Sequence, residues 1–216
     1  MYKYIFFDLD GTLTDPKEGI VNSFLYALDK MNIKVSEKTK LQEFIGPPLT
    51  DTFSQYYHLN EADTDKAVKF YREYFSVKGL FENIVYNGIK DVLKCLKERG
   101  KTLVIATSKP EKFTIEILKH FDLYEYFTFV SGATLDHKRS EKKDIISHAI
   151  NSLSLTNLDE IIMVGDRKHD VLGAKANNIK SIGVLYGYGS KEELENAKAD
   201  YIVKNPKELV KLLLEI

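Results

Sequence analysis

The chain has 216 residues, 44% of them hydrophobic and 29% charged, a size that fits one large domain or a core domain with a smaller insert. The composition is that of an ordinary globular protein and excludes a disordered or fibrous chain. Its 31 basic and 32 acidic residues give a net charge of −1, which argues against a dedicated binder of nucleic acid polymers or of an anionic membrane surface.

The single cysteine, Cys95, rules out an internal disulfide and fits a reducing cytosol. It stands among Val92, Leu93 and Leu96 and reads as an apolar packing residue. The first residues lack a basic segment and a long apolar stretch, so no signal peptide or membrane span is expected, and a cytoplasmic protein is.

In chain order, the first element is a short buried strand over 4–7. It runs directly into Asp8-Leu9-Asp10-Gly11-Thr12. Five fixed letters recur by chance on the order of once per million positions. Gly11 breaks the strand, so Asp8 and Asp10 belong at its carboxyl end, where open α/β sheets place ligands. Two carboxylates there are costly unless a metal or a proton relieves them. Phosphoryl transfer would use Asp8 as a nucleophile forming an aspartyl-phosphate, and Asp10 as the acid and then the base. Asp10 must then be neutral in the first step, which calls for a raised pKa.

Residues 16–83 read as an all-helical insert, too long for a single crossover. Ile20, Phe24 and Leu28 recur at helical spacing; Leu41, Phe44 and Ile45 precede the breaker Gly46-Pro47-Pro48; Phe53, Val68, Tyr71 and Phe75 follow. The insert is expected to form a cap domain placed to act as a lid. Its tyrosines Tyr56, Tyr57, Tyr71 and Tyr74 read as cap packing.

From residue 84 the pattern alternates. Strands are expected over 103–106, 127–130, 161–164 and 181–184, with a sixth candidate over 201–203. Helices are expected over 88–98, 111–120, 142–153, 169–177 and 206–215. Alternation of this kind implies βαβ units and a parallel sheet.

Three further clusters sit where these elements begin or end. Thr107-Ser108-Lys109-Pro110 follows a strand, so a hydroxyl of Thr107 or Ser108 can hydrogen-bond a phosphate oxygen, and Pro110 suits the first turn of the next helix. Arg139-Ser140-Glu141-Lys142-Lys143-Asp144 opens a helix; ordinarily such a run is a solvated face, but one lysine turned inward would hold phosphate charge and clamp Asp8. Lys142 is the first choice and Lys143 the alternative, which spacing does not separate. Gly165-Asp166-Arg167-Lys168-His169-Asp170 again ends an apolar strand in carboxylates. Asp166 would complete an oxygen set for Mg²⁺ with the Asp8 carboxylate and the Asp10 carbonyl. Asp170 would bind a metal water or the lysine, and His169 reads as exposed. The remaining histidines (His58, His120, His137 and His148) show no zinc spacing.

Strand-DxDGT, helical insert, strand-Thr, helix-opening Lys and strand-GDxxxD together resemble the haloacid-dehalogenase superfamily, over essentially the whole chain. The resemblance implies an α/β fold: a Rossmann-like three-layer core (1–15 and 84–216) with a parallel sheet ordered 5-4-1-2-3, plus the helical cap domain 16–83. It implies Mg²⁺, Asp8 as nucleophile, Asp10 as acid/base, Thr107 and Lys142 on phosphate, and Asp166 with Asp170 at the metal. Phe44-Ile45-Gly46-Pro47-Pro48-Leu49, Tyr86-Asn87-Gly88-Ile89, Thr107-Ser108-Lys109-Pro110 and 183–189 look closest to the phosphoglycolate-phosphatase-like and bacterial 5′-nucleotidase-like group. Gly46, Pro47 and Arg139 then become candidates for substrate contact, and the loop Gly187-Tyr188-Gly189-Ser190 a neighbour of the site.

Within the superfamily the dehalogenases lack the second aspartate, so Asp10 argues against halide displacement. Sugar phosphomutases of this cap type usually carry a cap histidine near the position of Ile20 here. Phosphonate hydrolases need a cap lysine, for which Lys17, Lys30 and Lys34 are available. The expected function is a Mg²⁺-dependent phosphatase acting on a small phosphorylated metabolite, as a monomer or small homo-oligomer. The alternatives are a β-phosphoglucomutase-like sugar phosphomutase and a non-catalytic phospholigand binder, which would have no need of an acid/base.

Overall fold

The structure is a computed structural model that describes residues 1–35, 40–41, 44–45, 49–136 and 138–216. The chain divides into two compact units, Met1–Asp15 with Val85–Ile216, and Pro16–Ile84.

The first unit carries a six-stranded sheet of β1 (Tyr4–Phe7), β2 (Thr102–Pro110), β3 (Phe127–Ala133), β4 (Ile161–Gly165), β5 (Lys180–Val184) and β6 (Tyr201–Val203). The order is β3-β2-β1-β4-β5-β6, and every pairing is parallel. The five-strand order implied by the resemblance recurs, extended at one edge by β6. Ile5, Phe6 and Phe7 are fully buried, as a central strand covered on both faces requires. Phe6, Val104 and Met163 share a cluster with Ile145, Ile146, Ala149 and Ala174, from the helices Lys142–Ser152 and Lys168–Ala176. The helix Ile89–Glu98 buries Ile89, Val92, Leu93 and Leu96, the face its spacing predicts. Cys95, one position off that face, is half-buried rather than buried.

Register positions the chemistry. Phe7 pairs with Ile105 on one side and Val164 on the other, and the Asp8 N–H donates to the Val164 carbonyl at 2.9 Å. Asp8, Thr107 and Asp166 therefore lie together at the carboxyl ends of three neighbouring strands.

β2 runs four residues beyond the predicted 103–106, because Thr107 and Pro110 still pair with Gly132 and Ala133 across an irregular register. Pro110 stands as the extended N-cap of the helix Glu111–His120 (ψ 130°), not in its first turn. The pairing of β2 with β3 outlasts the apolar run and delays the helix.

In the unit Pro16–Ile84, the helices Lys17–Lys30 and Glu61–Tyr74 pack through Phe24, whose ring meets Phe44, Phe53 and Tyr71 at 5.0–5.5 Å. Asn60 caps the second helix by accepting from the Asp63 N–H at 2.9 Å. The Lys17–Lys30 helix approaches the stretch Phe75–Gly79 so closely that a Cβ on Gly19 would lie 2.0 Å from the Gly79 carbonyl. Tyr71 is buried, Tyr74 donates to Glu82 at 2.8 Å, and Tyr56 packs on Phe44 while remaining exposed. Gly46 and Pro47, the candidates for substrate contact, lie outside the described residues, as does His137. Among the described residues no helix is long and apolar enough to cross a membrane.

Candidate active site

Asp8, Asp166 and Asp170, all buried, each bring a carboxylate oxygen within 4.8 Å of the others. β1 supplies Asp8, and β4 with the helix behind it supplies Asp166 and Asp170. Three such groups in one dry place repel one another, so each must be answered by a cation, a donor or a proton.

Lys142 answers two of them. Its Nζ lies 2.9 Å from Asp8 Oδ1 and 2.7 Å from Asp170 Oδ1, and donates to the Ala106 carbonyl at 3.0 Å. Burial pulls its pKa down, but the two carboxylates more than reverse this, and the lysine is held protonated above its ordinary range. Gly173 makes the approach possible, since a Cβ there would stand 2.8 Å from Lys142 Cγ. The helix start turns Lys142 inward; Lys143 is exposed and pairs with Glu141. Asp170 is used on both sides, because its Oδ2 also accepts the Arg167 N–H at 3.1 Å. Of the two roles foreseen for Asp170, the lysine contact is present, and its carboxylate also stands in the acidic cluster.

Asp166 differs. Its Oδ2 accepts the Tyr188 N–H at 2.7 Å, while its Oδ1 is buried without a hydrogen-bond partner. Burial, then Asp170 and Asp8, raise its pKa well above the carboxylate range. An orphaned buried oxygen beside two further carboxylates suits an oxygen-seeking divalent cation. Gly11 fits the same picture: with φ +84°, it brings its backbone to where a Cβ would be 2.2 Å from Asp166 Oδ2.

Asp10 has a lysine of its own. Lys109 Nζ lies 2.6 Å from Asp10 Oδ2, while Asp10 Oδ1 is buried and unpartnered. Burial raises the Asp10 pKa, Lys109 opposes it, and Asp8 adds to the rise. The direction is the one a general acid needs. The sequence alone gives Lys109 no role, although a lysine just past the buried run of β2 is a signal for one.

The other expected residues are placed as follows. Thr107 is buried and its Oγ1 accepts the Lys109 N–H at 3.3 Å, whereas Ser108 beside it is exposed. Arg139 is engaged with the protein: its Nε donates to the Gly132 carbonyl at 2.9 Å and its guanidinium pairs with Glu111 at 3.0 Å. It ties the loop after β3 to the end of β3 and to the start of the preceding helix, Glu111–His120. His169 is exposed. The Gly187-Tyr188-Gly189 loop rests on Asp166, as its N–H contact shows.

Comparison with known proteins adds the following. The family described as haloacid dehalogenase-like hydrolase matches residues 5–184. A Pseudomonas aeruginosa protein named 5′-nucleotidase is 47% identical over 193 residues, covering 89% of this chain and 87% of its own. The tyrosine-protein kinase PtkA of Mycobacterium tuberculosis is 38% identical over 93% of this chain, which spans 65% of that protein's length. Among solved structures, a predicted phosphatase from Clostridium acetobutylicum superposes with a TM-score of 0.95 at 50% identity, over 100% of both chains.

Proposed function

The chain belongs to the haloacid dehalogenase-like hydrolases, and from that membership we propose that it is a Mg²⁺-dependent phosphatase of small phosphomonoesters, working through an aspartyl-phosphate on Asp8. The observation that carries the reading is the convergence of Asp8, Asp166 and Asp170, with Lys142 clamped between Asp8 and Asp170 and Asp166 Oδ1 left over.

In the first step Asp8 attacks phosphorus; the new Asp8 O–P bond forms as the bond to the leaving oxygen breaks. Asp10, whose pKa burial raises, gives its proton to that oxygen. In the second step water attacks the phosphorus of the aspartyl-phosphate, Asp10 takes back a proton, and the Asp8 O–P bond breaks to release phosphate. Lys142 keeps Asp8 oriented and offsets the charge of the transferred group. The Thr107 and Ser108 hydroxyls bind phosphate oxygens. Asp8, the Asp10 carbonyl and Asp166 are the residues to hold Mg²⁺, which when bound neutralises charge on the phosphoryl oxygens.

The 47% identity to a protein named 5′-nucleotidase favours nucleoside monophosphates over phosphoglycolate as substrate. The single Cys95 suits a reducing compartment, and we assign the activity to the cytoplasm.

The test is a phosphate-release screen with Mg²⁺ over nucleoside 5′-monophosphates, phosphoglycolate, pyrophosphate and sugar phosphates. Release from a small monoester, abolished in Asp8→Asn, is expected. Transfer from ATP to protein tyrosine without monoester turnover would overturn the reading. Interconversion of sugar phosphates without phosphate release would identify the mutase instead.

A further inference from the structure

Tyr188 does two things at once. Its main-chain N–H donates to Asp166 Oδ2 at 2.7 Å, while its phenol hydroxyl donates to Asp15 Oδ1. It also shares a side-chain hydrogen bond with Tyr86. Asp15 is the last residue before the chain leaves this unit, and Tyr86 is the second after it returns at Val85. Nothing in the proposed reaction uses the hydroxyl.

The loop that carries Tyr188 lies directly on Asp166. A Cβ on Gly189 would fall 1.8 Å from the Asp166 carbonyl oxygen, and one on Gly187 would fall 2.5 Å from Asp166 Cβ. Glycines on both sides give this backbone little stiffness of its own. Side chains anchor it instead: the Tyr186 hydroxyl donates to the Thr12 carbonyl at 3.1 Å, and Tyr188, whose own N–H reaches Asp166, is held through its hydroxyl on Asp15. That N–H in turn fixes the Asp166 carboxylate, leaving Oδ1 as the presented oxygen.

We propose that Tyr188 is a positioning residue for the divalent cation: its hydroxyl, anchored on Asp15, holds the loop whose N–H orients Asp166, and so sets the affinity for Mg²⁺. This rests on the reading of Asp166 as a metal ligand. Phenylalanine keeps the ring and the main-chain N–H and removes only the anchor. Loss of a partner that orients a metal ligand costs about 10- to 100-fold in affinity. One remote anchor belongs at the low end of that range.

The experiment is calorimetric titration of Mg²⁺ into the full chain, with a thermal melt of each variant. Tyr188→Phe and Asp15→Ala are each expected to bind about 10-fold more weakly. Their double variant binds no more weakly than either alone, because both remove one link. Asp15→Asn, which keeps an accepting oxygen, binds as the wild type does, and this separates the hydrogen bond from the charge. Should Tyr188→Phe melt below the assay temperature, the contrast between Asp15→Ala and Asp15→Asn decides. Wild-type affinity in Tyr188→Phe, equal weakening in Asp15→Asn and Asp15→Ala, or additive losses in the double variant overturn the inference. If wild type binds Mg²⁺, Asp166→Ala does not and Tyr188→Phe matches wild type, this inference alone fails. If wild type takes up no Mg²⁺, the phosphatase reading fails with it.

Discussion

Lys109 Nζ stands 2.6 Å from Asp10 Oδ2, and both side chains are largely enclosed, at 6% and 19% exposure. The contact joins residues 99 positions apart, because β1 and β2 are adjacent and in register at their carboxyl ends. The acid/base candidate thus sits between two opposing influences: burial, which favours its neutral form, and an ammonium, which favours the charged one.

Removing that ammonium takes away the main opposition to burial and leaves only the smaller pull of Lys142. In Lys109→Met the Asp10 pKa moves further up, so Asp10 carries its proton to higher pH. The basic limb of the kcat/KM profile, set by loss of the proton from the general acid, is expected to shift to higher pH. A pH–rate profile of wild type and variant on one monoester checks this; an unmoved limb would show that Asp10 is not the titrating acid.

Lys142→Met leaves Asp8 and Asp170 buried without their shared cation. Loss of one partner from a buried ion pair costs about 3–5 kcal/mol. The loss should grow as pH rises, since the stranded Asp170, whose pKa burial raises, is relieved by a proton only at low pH. Urea titrations at two pH values measure it. Asp170→Asn combined with Lys142→Met should recover part of the stability but none of the turnover.

Without a cation, the raised pKa of Asp166 makes stability pH-dependent in a set direction. A carboxyl whose folded pKa exceeds its unfolded one holds more protons when folded. Stability therefore falls as pH climbs from the ordinary carboxylate range through the raised value. With EDTA present the melting temperature should decline over that span, and saturating Mg²⁺ should flatten the decline. At 100 times Kd the ion stabilises by about 2.7 kcal/mol. Melting temperatures that ignore both EDTA and Mg²⁺ would remove Asp166 from the metal.

Asp8→Asn keeps the size of the side chain and removes the nucleophile. Turnover is expected to vanish while the melting curve stays cooperative, and mass spectrometry of the quenched wild type, but not the variant, should show an added phosphoryl group. A phosphorylated variant would place the covalent step on another residue.

Arg139 ties Gly132 to Glu111, so Arg139→Ala is expected to lower stability more than it raises KM. Losing one such partly exposed contact is worth about 0.5–1.5 kcal/mol. A large KM increase with an unchanged melting temperature would return Arg139 to substrate binding.

The strands and the longer helices of the sheet-bearing unit were legible in the chain itself, because a parallel sheet covered on both faces demands unbroken apolar runs and the helices over it demand a periodic stripe, whereas the short helix Lys191–Asn196 was not. So were Asp8, Asp10 and Asp166, since carboxylates directly after such runs have nowhere to go but the sheet's edge. What one dimension could not resolve was direction and partnership. Lys142 and Lys143 are neighbours in the chain, but a helix turns successive residues about 100° apart, so only the fold decides that one is clamped between Asp8 and Asp170 and the other pairs with Glu141. Lys109 and Tyr188 acquired their contacts the same way, from strand register and from a loop laid on Asp166, because contacts across a sheet's edge depend on which strands lie side by side and leave no trace in local spacing.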